Sequence, residues 1–293
     1  MKGNEEKSAA TVLLLGLPDA GKTTFLAALW HVVHSNEVSG SLSLKTLEGD
    51  RDHLNAICEK WLRFEQMERT HPSSEKFVRM RLIARSNSPG VELVVPDMAG
   101  DSFEGFLEGR QWPTEFDEFV QGVEGFLLFV HPDRVREPVT INETASVLEA
   151  LGGGEVDAEN HPTPIKPYEP RVMNPTQVKL VDLIQLIAGR RPTPRPYRVA
   201  VIISAWDVVK DTDESPERWL DERLPLLSQY LRTNDELLDM RIYGLSAQGG
   251  DLTDDRELLE EVLIPSNRIK VVEGEMVSHD ITAPLRWLMV DHL

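Results

Sequence analysis

Cysteine is almost missing from this chain of 293 residues: there is one, Cys58. A single thiol excludes an internal disulfide and any zinc site built on cysteines, and leaves a buried structural thiol as the expectation. Positive charge is scarce as well. Lysine and arginine number 31 against 49 aspartates and glutamates, a formal net charge of −18. Such a surface repels phosphate backbones and anionic lipid, so nucleic-acid or membrane-surface binding is excluded as the main role. Long apolar runs are also lacking. Residues 1–10 are charged and carry no apolar stretch of signal-peptide length, and no run approaches the roughly 20 apolar residues of a membrane helix. The expectation is a cytoplasmic, soluble protein without a membrane-spanning segment. No internal repeat is apparent.

What is present is ordinary globular composition, 41% hydrophobic and 27% charged residues, which rules out a disordered chain, collagen or a coiled-coil rod. A single core is near its growth limit at this length, so one large domain with insertions over 1–293, or at most two small domains, is expected. Thr11 to Gly16 reads as a short strand, and Lys22 to His34 as a helix with Phe25, Leu26, Leu29, Trp30 and Val33 on its apolar face. Asp50 to Met67 has helical spacing. Lys76 to Ala84 and Val91 to Val95, separated by Ser86-Asn87-Ser88-Pro89-Gly90, read as an antiparallel hairpin. Gly125 to Val130 and Val199 to Ser204 are continuous apolar runs of the kind found in the middle of a parallel sheet, with Tyr243 to Leu245 as a further strand. Helices are expected at Pro175 to Ala188, Pro216 to Leu231 and Pro284 to His292. The alternation predicts an α/β fold of three layers with a mostly parallel sheet and one antiparallel strand. Insertions are expected at about 35–75 (helical), 132–174 (irregular, with Gly152-Gly153-Gly154 and scattered prolines) and 249–280.

Gly16-Leu17-Pro18-Asp19-Ala20-Gly21-Lys22-Thr23 matches G-x-x-x-x-G-K-[ST] between a strand and a helix. In that setting the backbone from Gly16 through Asp19, Ala20 and Gly21 to Thr24 curls its N–H groups around a phosphate at a helix N-terminus. Lys22 neutralises the β and γ phosphates and Thr23 offers a hydroxyl to Mg²⁺. Asp97-Met98-Ala99-Gly100 ends the second arm of the hairpin as D-x-x-G, in which Asp97 holds Mg²⁺ through water and the Gly100 amide senses the γ-phosphate. Ser204-Ala205-Trp206-Asp207 then ends a buried strand, and Leu245-Ser246-Ala247 ends the last one.

Four motifs in this order resemble the TRAFAC-type, Ras-like GTPases, whose corresponding segments are the P-loop, D-x-x-G, N-K-x-D and S-A-K. The P-loop looks most like that of the Arf and signal-recognition-particle-receptor β branch. The larger pattern, including Ser278 to Trp287, resembles the bacterial double-GTPase families of GTPase-associated conflict systems. The resemblance implies a P-loop NTPase fold, GTP or GDP as ligand, Mg²⁺ as cofactor, a guanine base held by Asp207 with Ser204, Ser246 and Ala247, and a protein effector or regulator as partner. It also implies a switch threonine before the Lys76 strand that completes the Mg²⁺ shell; Thr70 is the choice, with Ser73 and Ser74 as alternatives. Arg69, directly before it, is similar in place to the arginine that heterotrimeric G-protein α subunits supply in cis.

Departures from the pattern qualify the chemistry. Ala205 stands where the family has the lysine that packs over guanine, and Ser204 stands for the asparagine that ties the loops together. Asp101 occupies the place of the glutamine that orients the attacking water, and a shorter, anionic side chain there predicts slow hydrolysis unless Glu104, Arg69 or a partner contributes. Two functions are therefore open: a GTP-dependent switch with slow intrinsic hydrolysis, or a nucleotide-binding interaction module without turnover. A P-loop kinase or ATPase is disfavoured, since no arginine-rich lid is evident. His31 and His34 read as packed or solvated histidines, Trp219, Trp287 and Leu288 as core, Trp206 as core or lid, and Asp251 to Glu261 as a charged helix face.

Overall fold

A computed structural model describes residues 9–67, 77–84, 90–96, 122–138, 173–189, 195–209 and 214–289, with 105, 109 and 120 besides. The central strand, β1 (Ala10–Gly16), is a run of alternating leucines and valine that serves two cores at once. Val12 and Leu14 face one side of the sheet and Leu13 and Leu15 the other, all nearly inaccessible to solvent, as the period-2 geometry of a strand requires.

Helix α1 (Lys22–Ser35) follows the P-loop, and β2 (Ser43–Glu48) and α2 (Arg51–Leu62) come next. β3 (Phe77–Ile83) and β4 (Gly90–Pro96) form the antiparallel hairpin, in register from Phe77 opposite Pro96 to Ile83 opposite Gly90. β5 (Gly125–Val130), α3 (Thr176–Ala188), β6 (Tyr197–Ser204), α4 (Pro216–Arg223), α5 (Pro225–Thr233) and β7 (Leu238–Ser246) continue the chain. α6 (Arg256–Glu260), β8 (Lys270–Glu273), β9 (Met276–Ser278) and α7 (Ala283–Leu288) close it.

The nine strands form one sheet in the order β2-β3-β4-β1-β5-β6-β7-β8-β9. β4, β1, β5, β6 and β7 run parallel. α1, α2 and α7 cover one face, while α3, α4 and α5 cover the other, so the three-layer α/β architecture expected from the sequence is present. The sheet has two reversed strands rather than one, because β8 runs antiparallel to β7 just as β3 runs antiparallel to β4. The first insertion is not purely helical: it contributes the edge strand β2 as well as α2, and α2 ends at Leu62 rather than Met67. The expected helix from Pro216 to Leu231 is two helices. Pro225 has no N–H to continue α4, and α5 starts on it.

β1 lies between β4 and β5, where the connections lead to opposite sides of the sheet, and a ligand crevice belongs at the carboxyl ends of strands at such a point. The chain segments that follow β1, β5, β6 and β7 meet there.

Candidate functional site

The P-loop is shaped by two positions that demand an unusual backbone. Gly21 has φ 85° and caps α1, and a Cβ there would lie 2.8 Å from Ser204 Oγ and 2.9 Å from Ser204 Cβ. Asp19 is also left-handed, at φ 57°, a conformation an aspartate tolerates better than most residues. No side chain caps α1 and no acidic residue sits in its first turn, so the amides of Lys22, Thr23 and Thr24 are kept for an anion.

Lys22 Nζ donates to Gly16 O and Leu17 O, each at 2.7 Å. Burial pushes its ammonium down to about 8, opposed in part by the Asp19 carboxylate. A cation held in a desolvated loop by neutral carbonyls is poised to exchange them for phosphate oxygens, which offer full negative charge.

Two further turns complete the rim. Ser204, at the end of β6, has its hydroxyl 2.9 Å from Ala20 O and 3.2 Å from Val130 O, so it ties β6 to the P-loop and to the end of β5. Ala205 then turns the chain at φ 46°, and Asp207 follows within the 3₁₀ turn Trp206–Val209. The Ser246 hydroxyl, from the end of β7, donates to Asp207 Oδ1 and accepts from Gly249 N at 3.0 Å. The Asp207 carboxylate is thus held in place by Ser246 on the cleft wall.

These turns enclose a cleft of ≈ 940 Å³ lined by Pro18 to Thr24, Ser204, Ala205, Asp207 and Ala247, among others. Its size suits a nucleotide. The structure therefore brings Asp19, Ala20, Gly21, Lys22, Thr23 and Thr24 of the P-loop to one cavity with Ser204, Asp207 and Ala247. Gly16 and Ser246 stand just behind, supporting it. Arg69, Thr70, Ser73, Ser74, Asp97, Gly100, Asp101 and Glu104 lie outside the described residues.

Several lining residues carry no motif. Phe64 to Met67, His131, Asp133, Arg134, Gln248, Gly250 to Thr253 and Arg256 also border the cleft. His131, directly after β5, is lowered from its ordinary value chiefly by burial, with Asp133, Asp207 and Asp19 pulling the other way. Asp251 does not belong to a helix face: it accepts from Thr253 N and Asp254 N in a turn. Trp206 is half-buried and packs against the core rather than over the cleft. It packs against Gly244 of β7, where a Cβ would meet its ring at 2.6 Å, and it is not part of the cleft lining.

Residues from segments 35–75 and 249–280 meet beneath the turn that holds Ala247. Trp61, fully buried on α2, donates its indole N–H to Ala247 O at 3.0 Å. The Arg268 guanidinium lies 4.2 Å from the Trp61 ring and 4.5 Å from the Phe64 ring, and burial pushes it down to about 10. Only long-range folding joins these residues, so no local spacing marks them. Cys58 is half-buried and its thiol is pushed up by burial. His31 pairs with Glu37 at 3.1 Å and His34 donates to Trp30 O at 2.7 Å, which occupies both histidines structurally.

Among the described residues no group of three or more His, Cys, Asp or Glu side chains is placed to hold a metal. Mg²⁺ at a phosphate needs few protein ligands, because phosphate oxygens and waters fill most of its octahedron. Thr23, a hard oxygen donor in the first turn of α1 and on the cleft wall, fits that demand.

Comparison with known proteins gives a family model, described as Double-GTPase 1, that matches residues 13–288. No curated protein matches the chain. Among solved structures, a bacterial selenocysteine-specific elongation factor, EF-Sec, is 12% identical with a TM-score of 0.36, over 87% of this chain and 29% of that one. Roco2 RocCORdC of Methanosarcina barkeri, bound to GDP, is 12% identical with a TM-score of 0.29, over 92% of this chain and 52% of that one. The chain thus spans about a third and about half of the lengths of these two proteins. Among the described residues no helix is long and apolar enough to cross a membrane.

Proposed function

Because this chain belongs to the Double-GTPase 1 family, we propose that it is a Mg²⁺-dependent, GTP-binding molecular switch with slow intrinsic hydrolysis to GDP, acting on a protein partner. The observation that carries this reading is the convergence of Lys22 and the α1 amides with the Asp207–Ser246 pair on one cleft. The first group suits the phosphates, the second the base. In the proposed complex Lys22 leaves the Gly16 and Leu17 carbonyls for the β and γ phosphates. Asp207, steadied by Ser246, accepts from guanine N1–H and the 2-amino group, while Ser204 keeps the P-loop and β6 in register. Thr23, Thr70 and Asp97 are assigned to Mg²⁺, which when bound offsets phosphate charge.

The Gly100 amide and Thr70 are assigned to sensing the γ-phosphate, and Asp101 accounts for slow turnover, since an anionic side chain is a poor guide for water beside phosphate. Binding of GTP should therefore be tight in Mg²⁺ and weaker in EDTA, with Thr23→Ala narrowing the difference. Single-turnover hydrolysis by the purified chain decides between switch and static module. Phosphate release from bound GTP supports the switch, and complete retention of GTP over a day sinks it in favour of a nucleotide-binding module without turnover.

A further inference from the structure

The acidic stretch from Asp251 to Glu261 is helical only over Arg256–Glu260, and the chain here turns apolar side chains outward. Five of the nine large apolar side chains exposed among the described residues, Leu258, Leu263, Ile264, Met276 and Val277, belong to the segment 249–280. Three of them fall within 258–264, where Leu258 is 65%, Leu263 94% and Ile264 47% exposed. Scattered single leucines are normal on a surface, but a concentration of them marks a place where something docks. The stretch is also held in shape. Leu259 is buried, Asp255 Oδ2 accepts from Asp251 N at 2.9 Å, and Ser266, two residues beyond Ile264, donates its hydroxyl to Glu37 Oε2 at 2.6 Å. An ordered surface has little conformational entropy to lose on binding. Its charge then selects what can bind: Asp254, Glu257, Glu260 and Glu261 are exposed beside the apolar side chains in the chain, and Arg256, the only cation within 251–264, is paired with Glu260 at 2.9 Å.

We propose that residues 254–264 form a docking surface for another protein, one that presents a segment of aliphatic and basic side chains. This gives the partner in the proposed function a surface, and it stands whether or not the cleft takes guanine. The aliphatic side chains supply apolar area to bury, while the carboxylates meet lysine or arginine, which steers the encounter and rejects acidic partners. A second copy of this chain would set like carboxylates against each other on a molecule already at −18, and an anionic bilayer would be repelled in the same way. The surface adjoins the cleft. Asp251 to Thr253 and Arg256 line the cleft wall, and Leu258 and Leu263, a few residues on, face solvent.

Fluorescence anisotropy on the full chain tests this with a labelled amphipathic peptide of leucine and lysine, and with the same pattern carrying glutamate for lysine. The wild type should bind the basic peptide about 10-fold or more tightly than the acidic one, and added salt should weaken that binding. Leu258→Ser with Leu263→Ser removes apolar surface at unchanged charge and should cost about 10-fold or more. Glu257→Gln with Glu261→Gln should cost about 3-fold or more. Leu226→Ser with Leu237→Ser, exposed leucines elsewhere on the molecule, should change nothing. All of these side chains are exposed, and melting temperatures check that the variants fold. If the basic peptide binds no better than the acidic one, or if the loss at Leu258 and Leu263 is absent or is matched by the control pair, the surface is not a docking site. Cosedimentation with phosphatidylcholine vesicles that depends on Leu258 and Leu263, in place of peptide binding, would overturn the proposal in favour of a bilayer. Neither result touches the nucleotide reading, which GTP titration tests.

Discussion

At the scale of single residues, Lys22 joins stability to function. The folded chain buries an ammonium among carbonyls and its proton affinity falls to about 8; a bound triphosphate restores it by adding negative charge. The sign follows from linkage: the phosphate-bound state holds the proton more tightly, so affinity is full below about 8 and is lost as pH rises through it. GTP affinity measured from pH 7 to 9.5 should fall with a slope approaching tenfold per unit above 8, and a flat profile would remove Lys22 from the phosphates. Lys22→Ala should abolish measurable binding with the fold intact, since its side chain faces loop carbonyls rather than the apolar core. Arg69→Ala should slow single-turnover hydrolysis on the order of 10³-fold if that arginine acts in cis on the phosphates. An unchanged rate would assign it to the surface. The P-loop residues were legible because their spacing is itself the mechanism: glycines where the backbone must bend, lysine where charge must be met. Gln248, which also borders the cleft, was not, because a glutamine in a turn has no signature in the sequence.

At the scale of elements, the strands with continuous apolar runs were the easiest to read. β5 has the bounds expected from Gly125 to Val130, and all six of its residues are buried. β2 escaped for a physical reason. Its register slips between Leu44 and Thr46, so the bulge destroys the alternation by which an edge strand is recognised. β8 and β9 are four and three residues long, too short for any period to emerge, and are joined through Gly274 at φ 57°. Pro225 was visible, but a proline also suits a helix start, and here it begins α5. α4 has Ser215 as N-cap, accepting from Arg218 N at 3.2 Å, and Ser215→Ala should destabilise the chain by about 0.5–2 kcal/mol in urea unfolding. α2 carries more consequence. Trp61→Phe removes the donor to Ala247 O and leaves a buried carbonyl unpaired, a loss of about 1–3 kcal/mol. It should also weaken GDP binding, because the turn holding Ser246 and Gln248 loses its support from below; unfolding and titration of the same variant check both.

At the scale of the whole molecule, the architecture follows from one strand with two faces. Leucines of β1 alternate between an α1-α2-α7 core and an α3-α4-α5 core, and this three-layer arrangement puts the P-loop at the crevice between β4 and β5. Segments 35–75 and 249–280 were the hardest to read, yet both reach the cleft: the first supplies Phe64 to its wall and the second the Asp251–Thr253 stretch, with Trp61 and Arg268 packed together behind them. Their contacts join residues far apart in the chain, which no local pattern encodes. A cleft built from four strand ends and two insertions should be stiffened by its ligand, and GDP at 100 times its dissociation constant should add about 2.7 kcal/mol to unfolding stability. Selection of guanine through Asp207 is measured by competition titration of GTP, ATP and XTP against the wild type and Asp207→Asn. GTP should prevail in the wild type, and the variant should lose GTP and gain XTP, since an asparagine N–H suits the 2-carbonyl of xanthine. ATP binding the wild type as well as GTP, with Asp207→Asn changing neither, would mean that Asp207 does not read the base and that the cleft is not a guanine site.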